Sequence, residues 1–248
     1  MSQIIPPQRV VENQPVVSHP QPGIEFFERV VSGTMTAAGQ ACACTAYEKG
    51  DETGLAILYA DAKTGQAARL NIPTAGPAAG QPAIAASGDE LSLVWLEYGR
   101  DQNWRLMHTT LRDQQAGTRR CLWISDALLM YPTICRHSRR WHVAFTALSP
   151  ADNCLTIQYA VIPEGDDPIE PLKLPGSGED ANRVAMASNG QQLMQAWDSM
   201  SDAVGCIDYS VIDEAGVPGP VQTIGRPNER WLSPVLASDS KAFYLSWV

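Results

Sequence analysis

Pro82-Ala83-Ile84-Ala85-Ala86-Ser87-Gly88-Asp89-Glu90-Leu91-Ser92-Leu93-Val94-Trp95 is the stretch that decides the fold. A short apolar run meets a polar turn, and an alternating strand then leads to a large aromatic. Apolar runs bounded by such turns predict a β-hairpin. The same phrase returns three times. Pro132-Thr133-Ile134-Cys135, Val184-Ala185-Met186-Ala187-Ser188 and Pro234-Val235-Leu236-Ala237-Ser238 open the copies. Ser138-Arg139-Arg140, Asn189-Gly190-Gln191-Gln192 and Asp239-Ser240-Lys241 turn them, and Phe145, Trp197 and Trp247 close them. From Trp95 to Trp247 the aromatics step by 50, 52 and 50 residues.

Each hairpin is followed by a polar loop and a third strand. Copies of that strand are Leu55-Ala56-Ile57-Leu58-Tyr59-Ala60, Leu155 to Ile162 and Ile207 to Ile212, with Tyr59, Tyr159 and Tyr209 in register and His108 in the same column. A fourth strand closes each unit: Ala68 to Ile72, Arg120 to Ile124, Pro171 to Leu174 and Val221 to Ile224. One four-stranded sheet cannot cover both of its own faces, so repeated sheets must stack on one another. Four strands per unit of roughly 50 residues resembles a β-propeller blade.

The expected architecture is therefore all-β: one β-propeller domain over residues 1–248, with repeats at 31–80, 81–130, 131–181 and 182–231. The partial copy 232–248 would be completed by residues 1–30, giving five blades and a ring closed by both ends of the chain. Gln8-Arg9-Val10-Val11-Glu12 and Gln14-Pro15-Val16-Val17 are the extended runs expected to supply that outer pair, and joining the ends would remove exposed sheet edges. Pro6, Pro7, Pro15, Pro20 and Pro22 oppose this placement, because proline is poorly tolerated inside a sheet. In the first copy, Ala41 to Tyr47 fills the second-strand slot, with Thr45 or Tyr47 in the aromatic column.

The repeat is similar to those of five-bladed tachylectin-like and sialidase-like propellers, through the strand–turn–strand–Trp pattern over most of the chain. The Ser-x-Asp-x-Gly-x-Thr-Trp box of sialidase repeats is missing. The resemblance thus implies architecture more than activity, with a carbohydrate-binding lectin as the function that the tachylectin-like rings suggest.

Composition narrows the classes. The 248 residues are 44% hydrophobic, enough for a large core, and no apolar run is long enough to span a membrane as a helix. The formal net charge is −9, and nucleic-acid binding needs basic surface, so no nucleic-acid partner is expected. The start, Met1-Ser2-Gln3-Ile4-Ile5-Pro6-Pro7, lacks the basic and apolar regions of a signal peptide. Cys42, Cys44, Cys121, Cys135, Cys154 and Cys206 show neither disulfide-scaffold nor zinc spacing. Free thiols in a cytoplasmic setting are expected, with signal-less export as the other route; the oligomeric state is not legible.

The chemistry-bearing residues are sparse. Glycosidases of this architecture place carboxylates on the first strands around the axis, and hydrolysis needs two of them. The first-strand runs here carry neither Asp nor Glu, which predicts no enzyme. Cys135-x-His137 with His142, and Cys42-x-Cys44, fall short of a convergent metal set, and no phosphate-binding or dinucleotide motif occurs, so no metal or cofactor is expected. Glu48, Asp51 and Glu52, Glu97 and Asp101, and Asp198 and Asp202 read as acidic members of second-to-third-strand loops, solvated or able to meet a cation or basic partner.

Loops between repeats offer the binding face of a rigid ring. Gly225-Arg226-Pro227-Asn228-Glu229-Arg230-Trp231 is the best contact patch, because Trp and Arg dominate interface energetics. Trp231, Arg230, Arg226 and Glu229, with Asn182 from the preceding inter-repeat loop, are the candidate ligand-binding residues. The functional expectation is a non-catalytic propeller mediating protein–protein interaction, with a glycan as the alternative partner.

Overall fold

The computed structural model describes residues 27–37, 39–49, 52–61, 64, 66–75, 78–149, 153–174, 180–201, 204–225 and 231–248. Among these the chain is all-β, and no helix is long and apolar enough to cross a membrane. The N-terminal runs expected to complete the last unit lie outside the described residues.

The first sheet holds β1 (Phe27–Met35), β2 (Gln40–Lys49), β3 (Glu52–Asp61) and β4 (Ala67–Ile72). The second holds β5 (Ala78–Ser87), β6 (Glu90–Tyr98), β7 (Trp104–Arg112), the short β8 (Gln115–Ala116) and β9 (Arg120–Ser125). The third is β10 (Leu128–His137), β11 (Arg140–Leu148), β12 (Leu155–Ile162) and β13 (Leu172–Lys173). The fourth is β14 (Asn182–Ser188), β15 (Leu193–Ser201), β16 (Val204–Ile212) and β17 (Gln222–Ile224), and a hairpin of β18 (Val235–Ser238) and β19 (Phe243–Ser246) follows. Every pairing is between antiparallel neighbours. The first strands touch in succession, β1 to β5 to β10 to β14 to β18.

Alternation along the second strands explains the stacking. On β6, Leu91, Leu93 and Trp95 face back into a core with Cys42, Cys44, Leu55 and Ile57 of the first sheet. Val94 and Leu96 face forward into a core with Phe145, Val143 and Leu129 of the third. Trp197 in turn joins Ala144, Ile157 and Tyr159 of the third sheet. The second and third sheets are thus covered on both faces, and Trp95, Phe145 and Trp197 are fully buried wedges between neighbours.

The first strands of the second, third and fourth sheets and of the last hairpin are each broken opposite their aromatic. Pairing jumps from Gly80↔Leu96 to Ala83↔Val94, from Met130↔Thr146 to Thr133↔Ala144, and from Asn182↔Asp198 to Ala185↔Ala196. In the last hairpin Leu232 and Val248 exchange backbone hydrogen bonds at 2.8 and 3.0 Å, and pairing resumes at Val235↔Ser246. Two residues therefore oppose one aromatic each time, the signature of a β-bulge. Pro82, Pro132 and Pro234 occupy the second bulge position. A proline has no N–H for the ladder, and a bulge is where a strand tolerates it.

Two expectations are corrected. Setting the columns by the pairs just past each bulge gives Cys44↔Ile57, Val94↔His108, Ala144↔Tyr159 and Ala196↔Tyr209. Ile57 shares the column of Tyr159 and Tyr209, and Tyr59 lies two residues further along β3, because the β2–β3 hairpin pairs with a different offset. Glu97 and Asp198 are not loop residues: they sit inside β6 and β15 and are 2% and 5% exposed.

Candidate functional site

The bulges line up four side chains where the first strands converge. Gln81, Tyr131, Arg183 and Ser233 hold the first bulge position at steps of 50, 52 and 50 residues, and all four adopt left-handed φ angles, 49°, 49°, 37° and 54°. Non-glycine residues are uncommon there, at a cost of roughly 1 kcal/mol each. They are linked from sheet to sheet. The Tyr131 backbone N–H donates to Gln81 Oε1 at 2.6 Å. The Arg183 guanidinium lies over the Tyr131 ring, 5.4 Å from its centroid, and its Nη1 donates to Ser233 Oγ. A polar chain thus runs across four successive sheets at the end of the first strands that faces the inter-repeat loops.

Asp198 stands beside that chain. Its register partner is Asn182, which starts β14 and accepts the Arg183 backbone N–H at 3.0 Å on Oδ1. Burial pushes the Asp198 carboxyl above the usual carboxylate range, against the opposing pull of the Ser233 backbone N–H and the Arg183 charge. Its Oδ1 has no hydrogen-bond partner among the described residues. A buried carboxyl with a raised pKa and an unused oxygen can serve as a proton donor, with the Arg183 charge pulling the other way.

The expected contact patch is only partly placed. Asn182 belongs to this group. Trp231 is half-buried and stacks on Trp247, with ring centroids 4.7 Å apart and planes 23° apart. Its backbone N–H donates to Gly205 O at 3.2 Å, and a Cβ on Gly205 would stand 3.2 Å from Trp231 backbone atoms, a tight approach at this crossing. Trp231 thereby spans the fourth sheet and the last hairpin. Arg226, Glu229 and Arg230 lie outside the described residues. Sequence reading missed Gln81, Tyr131, Arg183 and Ser233. The signal available for them was the residue before Pro82, Pro132, Val184 and Pro234.

At the other end of the first strands, Ser87, Asp89, Glu90, Arg112, Asp113 and Arg136 line a cavity of about 320 Å3. Its charges are largely engaged with one another. Glu90 accepts from Arg112 at 2.7 Å and from the Trp141 indole at 3.0 Å, and Arg136 lies over the Trp141 ring. This network fastens hairpin turns of neighbouring sheets. The histidines nearby do structural work too. His137 Nδ1 bonds Ser188 Oγ at 2.9 Å, and His142 Nδ1 bonds the Tyr159 hydroxyl at 2.7 Å. Burial lowers His142 to about 4, which disfavours the cation at neutral pH.

Comparison with known proteins places the fold. No family model matches the sequence, and no curated protein matches it. Solved structures do. A family 117 glycoside hydrolase from Zobellia galactanivorans is 9% identical over 87% of this chain and 75% of its own, with a TM-score of 0.56. A GH43 β-xylosidase/α-arabinofuranosidase from a compost microbial metagenome is 12% identical over 93% of this chain and 88% of its own, with a TM-score of 0.53. An α-L-arabinofuranosidase from Lactobacillus brevis is 9% identical over 89% and 83%, with a TM-score of 0.54. The all-β, propeller-type fold is thereby supported, and identity this low carries the fold alone.

These likenesses correct the expectation of a non-catalytic interaction propeller, its lectin alternative, and the reading that the chain is no enzyme. The solved structures it resembles include several glycoside hydrolases, together with an acylaminoacyl peptidase from Pyrococcus horikoshii. The sequence argument rested on first strands without carboxylates. That absence holds for β5, β10, β14 and β18, whereas β1 carries Glu28, and Asp198 reaches the same end of the strands from the second strand, through its pairing with Asn182.

Proposed function

We propose that this chain is a glycoside hydrolase built on a five-bladed propeller, acting where the first strands converge, with Asp198 as the proton donor. One observation carries the reading: Asp198 is buried, displaced toward its protonated form, and has an oxygen without a partner among the described residues. In this reaction the Asp198 carboxyl gives its proton to the glycosidic oxygen. The bond from that oxygen to the anomeric carbon breaks, and water adds to the carbon and loses a proton to a second carboxylate. Asp126 and Asp180, on the connections entering β10 and β14, are the described candidates for that second group. Asn182 and Trp231 border the same end and would contact the sugar. In this proposal the β18–β19 hairpin is the inner half of the fifth blade.

The test is hydrolysis of 4-nitrophenyl α-L-arabinofuranoside, 4-nitrophenyl β-D-xyloside and a panel of oligosaccharides. Wild type should cleave at least one. Asp198→Asn should lower kcat by about a hundredfold or more, the contribution of a general acid, and the rate should fall as pH rises through the Asp198 pKa. Absence of cleavage across the panel, or an Asp198→Asn variant with full activity, sinks the assignment.

A further inference from the structure

From the surroundings of Arg183, we infer that the substrate is an acidic saccharide, a uronic-acid unit whose carboxylate is taken by the Arg183 guanidinium. The inference rests on the site proposed above and assigns its substrate class.

Four arginines meet a carboxylate, whereas Arg136 and Arg183 lie over aromatic rings with no ion pair among the described residues. Arg105 meets Asp101 at 2.5 Å, Arg112 meets Glu90 at 2.7 Å, Arg120 meets Asp166 at 3.6 Å and Arg119 meets Glu97 at 3.8 Å. Arg183 has no carboxylate within ion-pair distance among the described residues. Its side chain is held by a neutral hydroxyl, Ser233 Oγ, and by the face of Tyr131. The Arg183 charge acts on the buried Asp198 carboxyl, where burial outweighs it and raises the Asp198 pKa. The Arg183 charge thus has no ion-pair partner among the described residues. Nη1 is the only guanidinium nitrogen that donates to a described residue.

The position is also built rather than incidental. Arg183 is exposed, yet its backbone is fixed in a left-handed conformation at a bulge, its N–H is capped by Asn182 Oδ1, and its guanidinium is fastened between two neighbouring sheets. An arginine ordered before the ligand arrives loses less entropy on binding, and its planar fork matches a carboxylate. A neutral sugar would leave this charge without a counter-charge. A uronate would supply one, and its negative charge beside Asp198 would raise the Asp198 pKa further and keep the proton donor loaded.

The experiment is calorimetric titration of the full chain with trigalacturonate, with galactotriose as the neutral match, and with a sulfated galactose oligosaccharide of equal length. Trigalacturonate should bind at least about tenfold more tightly than galactotriose, as expected of a charge-assisted hydrogen bond, and added salt should weaken it. Arg183→Met should erase the preference, and Arg183→Lys should restore part of it, with circular dichroism verifying that both are folded. If the Met variant does not fold, the wild-type preference and its salt dependence still decide. Equal affinity for acidic and neutral sugars, a preference that survives in folded Arg183→Met, tighter binding of the sulfated sugar, or no binding at all would each overturn the inference. Asp198-dependent cleavage of a neutral oligosaccharide without uronate preference removes this inference and leaves the hydrolase standing. Arg183-dependent uronate binding without cleavage removes the proton-donor role and leaves Arg183 recognition standing.

Discussion

β6 and β15 fill the same slot in the second and fourth sheets and treat buried polarity in opposite ways. On β6 the Trp95 indole N–H donates to Glu97 Oε1 at 2.8 Å. Glu97 also accepts the Ala75 backbone N–H at 3.4 Å and meets Arg119 at 3.8 Å. On β15 the Trp197 indole N–H, both Gln195 side-chain polar atoms and Asp198 Oδ1 have no partner among the described residues, although all three residues are buried. Serine stands at position 199, two past the tryptophan, where β6 has Glu97, and Ser199 Oγ is turned to Asp208 Oδ2 at 2.6 Å. An unsatisfied buried polar atom costs roughly 1–3 kcal/mol, and such costs collect at functional sites. The second sheet behaves as scaffold, and the fourth carries the proposed site.

The largest expected effect lies on the satisfied side. Glu97→Leu leaves the Trp95 and Ala75 N–H groups without their acceptor and Arg119 without its charge partner, so it should destabilise the chain by about 1–3 kcal/mol. Urea unfolding measures this. A loss below about half a kcal/mol would erase the contrast, because it would show that the β6 network is as dispensable as an unmade one.

A smaller effect, with its sign set by pH, tests the other side. The folded-state pKa of Asp198 is raised. Its stabilising contribution is therefore fully present below the unfolded carboxylate pKa and is lost as pH rises through the folded value. Asn stays neutral throughout. Asp198→Asn should accordingly melt higher than wild type near neutral pH, with the difference shrinking toward zero as the medium is acidified below the ordinary carboxylate range. This is the usual trade between stability and activity at a strained site. A variant that melts lower than wild type at neutral pH would show that the ionised carboxylate is well held and that β15 is not strained there.

How much of this was legible follows the same division. The aromatic column at Trp95, Phe145, Trp197 and Trp247 is a packing feature, and packing repeats with the sheets, so the spacing revealed it. The bulges follow from the same columns combined with Pro82, Pro132 and Pro234, yet the left-handed φ angles of Gln81, Tyr131, Arg183 and Ser233 belong to backbone geometry that no residue-type pattern spells out. Asp198 looked like a loop acid because Asp198-Ser199-Met200-Ser201-Asp202 is polar apart from Met200. Strand β15 nevertheless continues to Ser201, where it pairs with Val204, and that pairing draws the carboxyl inside. The site was hidden because it depends on one strand outlasting its hydrophobic pattern.

The smallest effect is the most discriminating. Gln195 is fully buried with neither its amide nitrogen nor its carbonyl oxygen bonded to a described residue, and it faces the same way as Leu193 and Trp197, toward the third sheet. If those atoms are truly unsatisfied, Gln195→Leu trades a desolvated amide for apolar contact with Leu193 and Trp197 and should be neutral or stabilise by up to about 1 kcal/mol. Because the side chain points away from the Asp198 face of β15, hydrolysis and uronate binding should be unchanged. A clear destabilisation would mean that the amide is satisfied by water held between the third and fourth sheets. The unmade bonds of β15 would then be hydrated ones, and the case for strain at the fourth sheet would narrow to Asp198 and the left-handed column beside it.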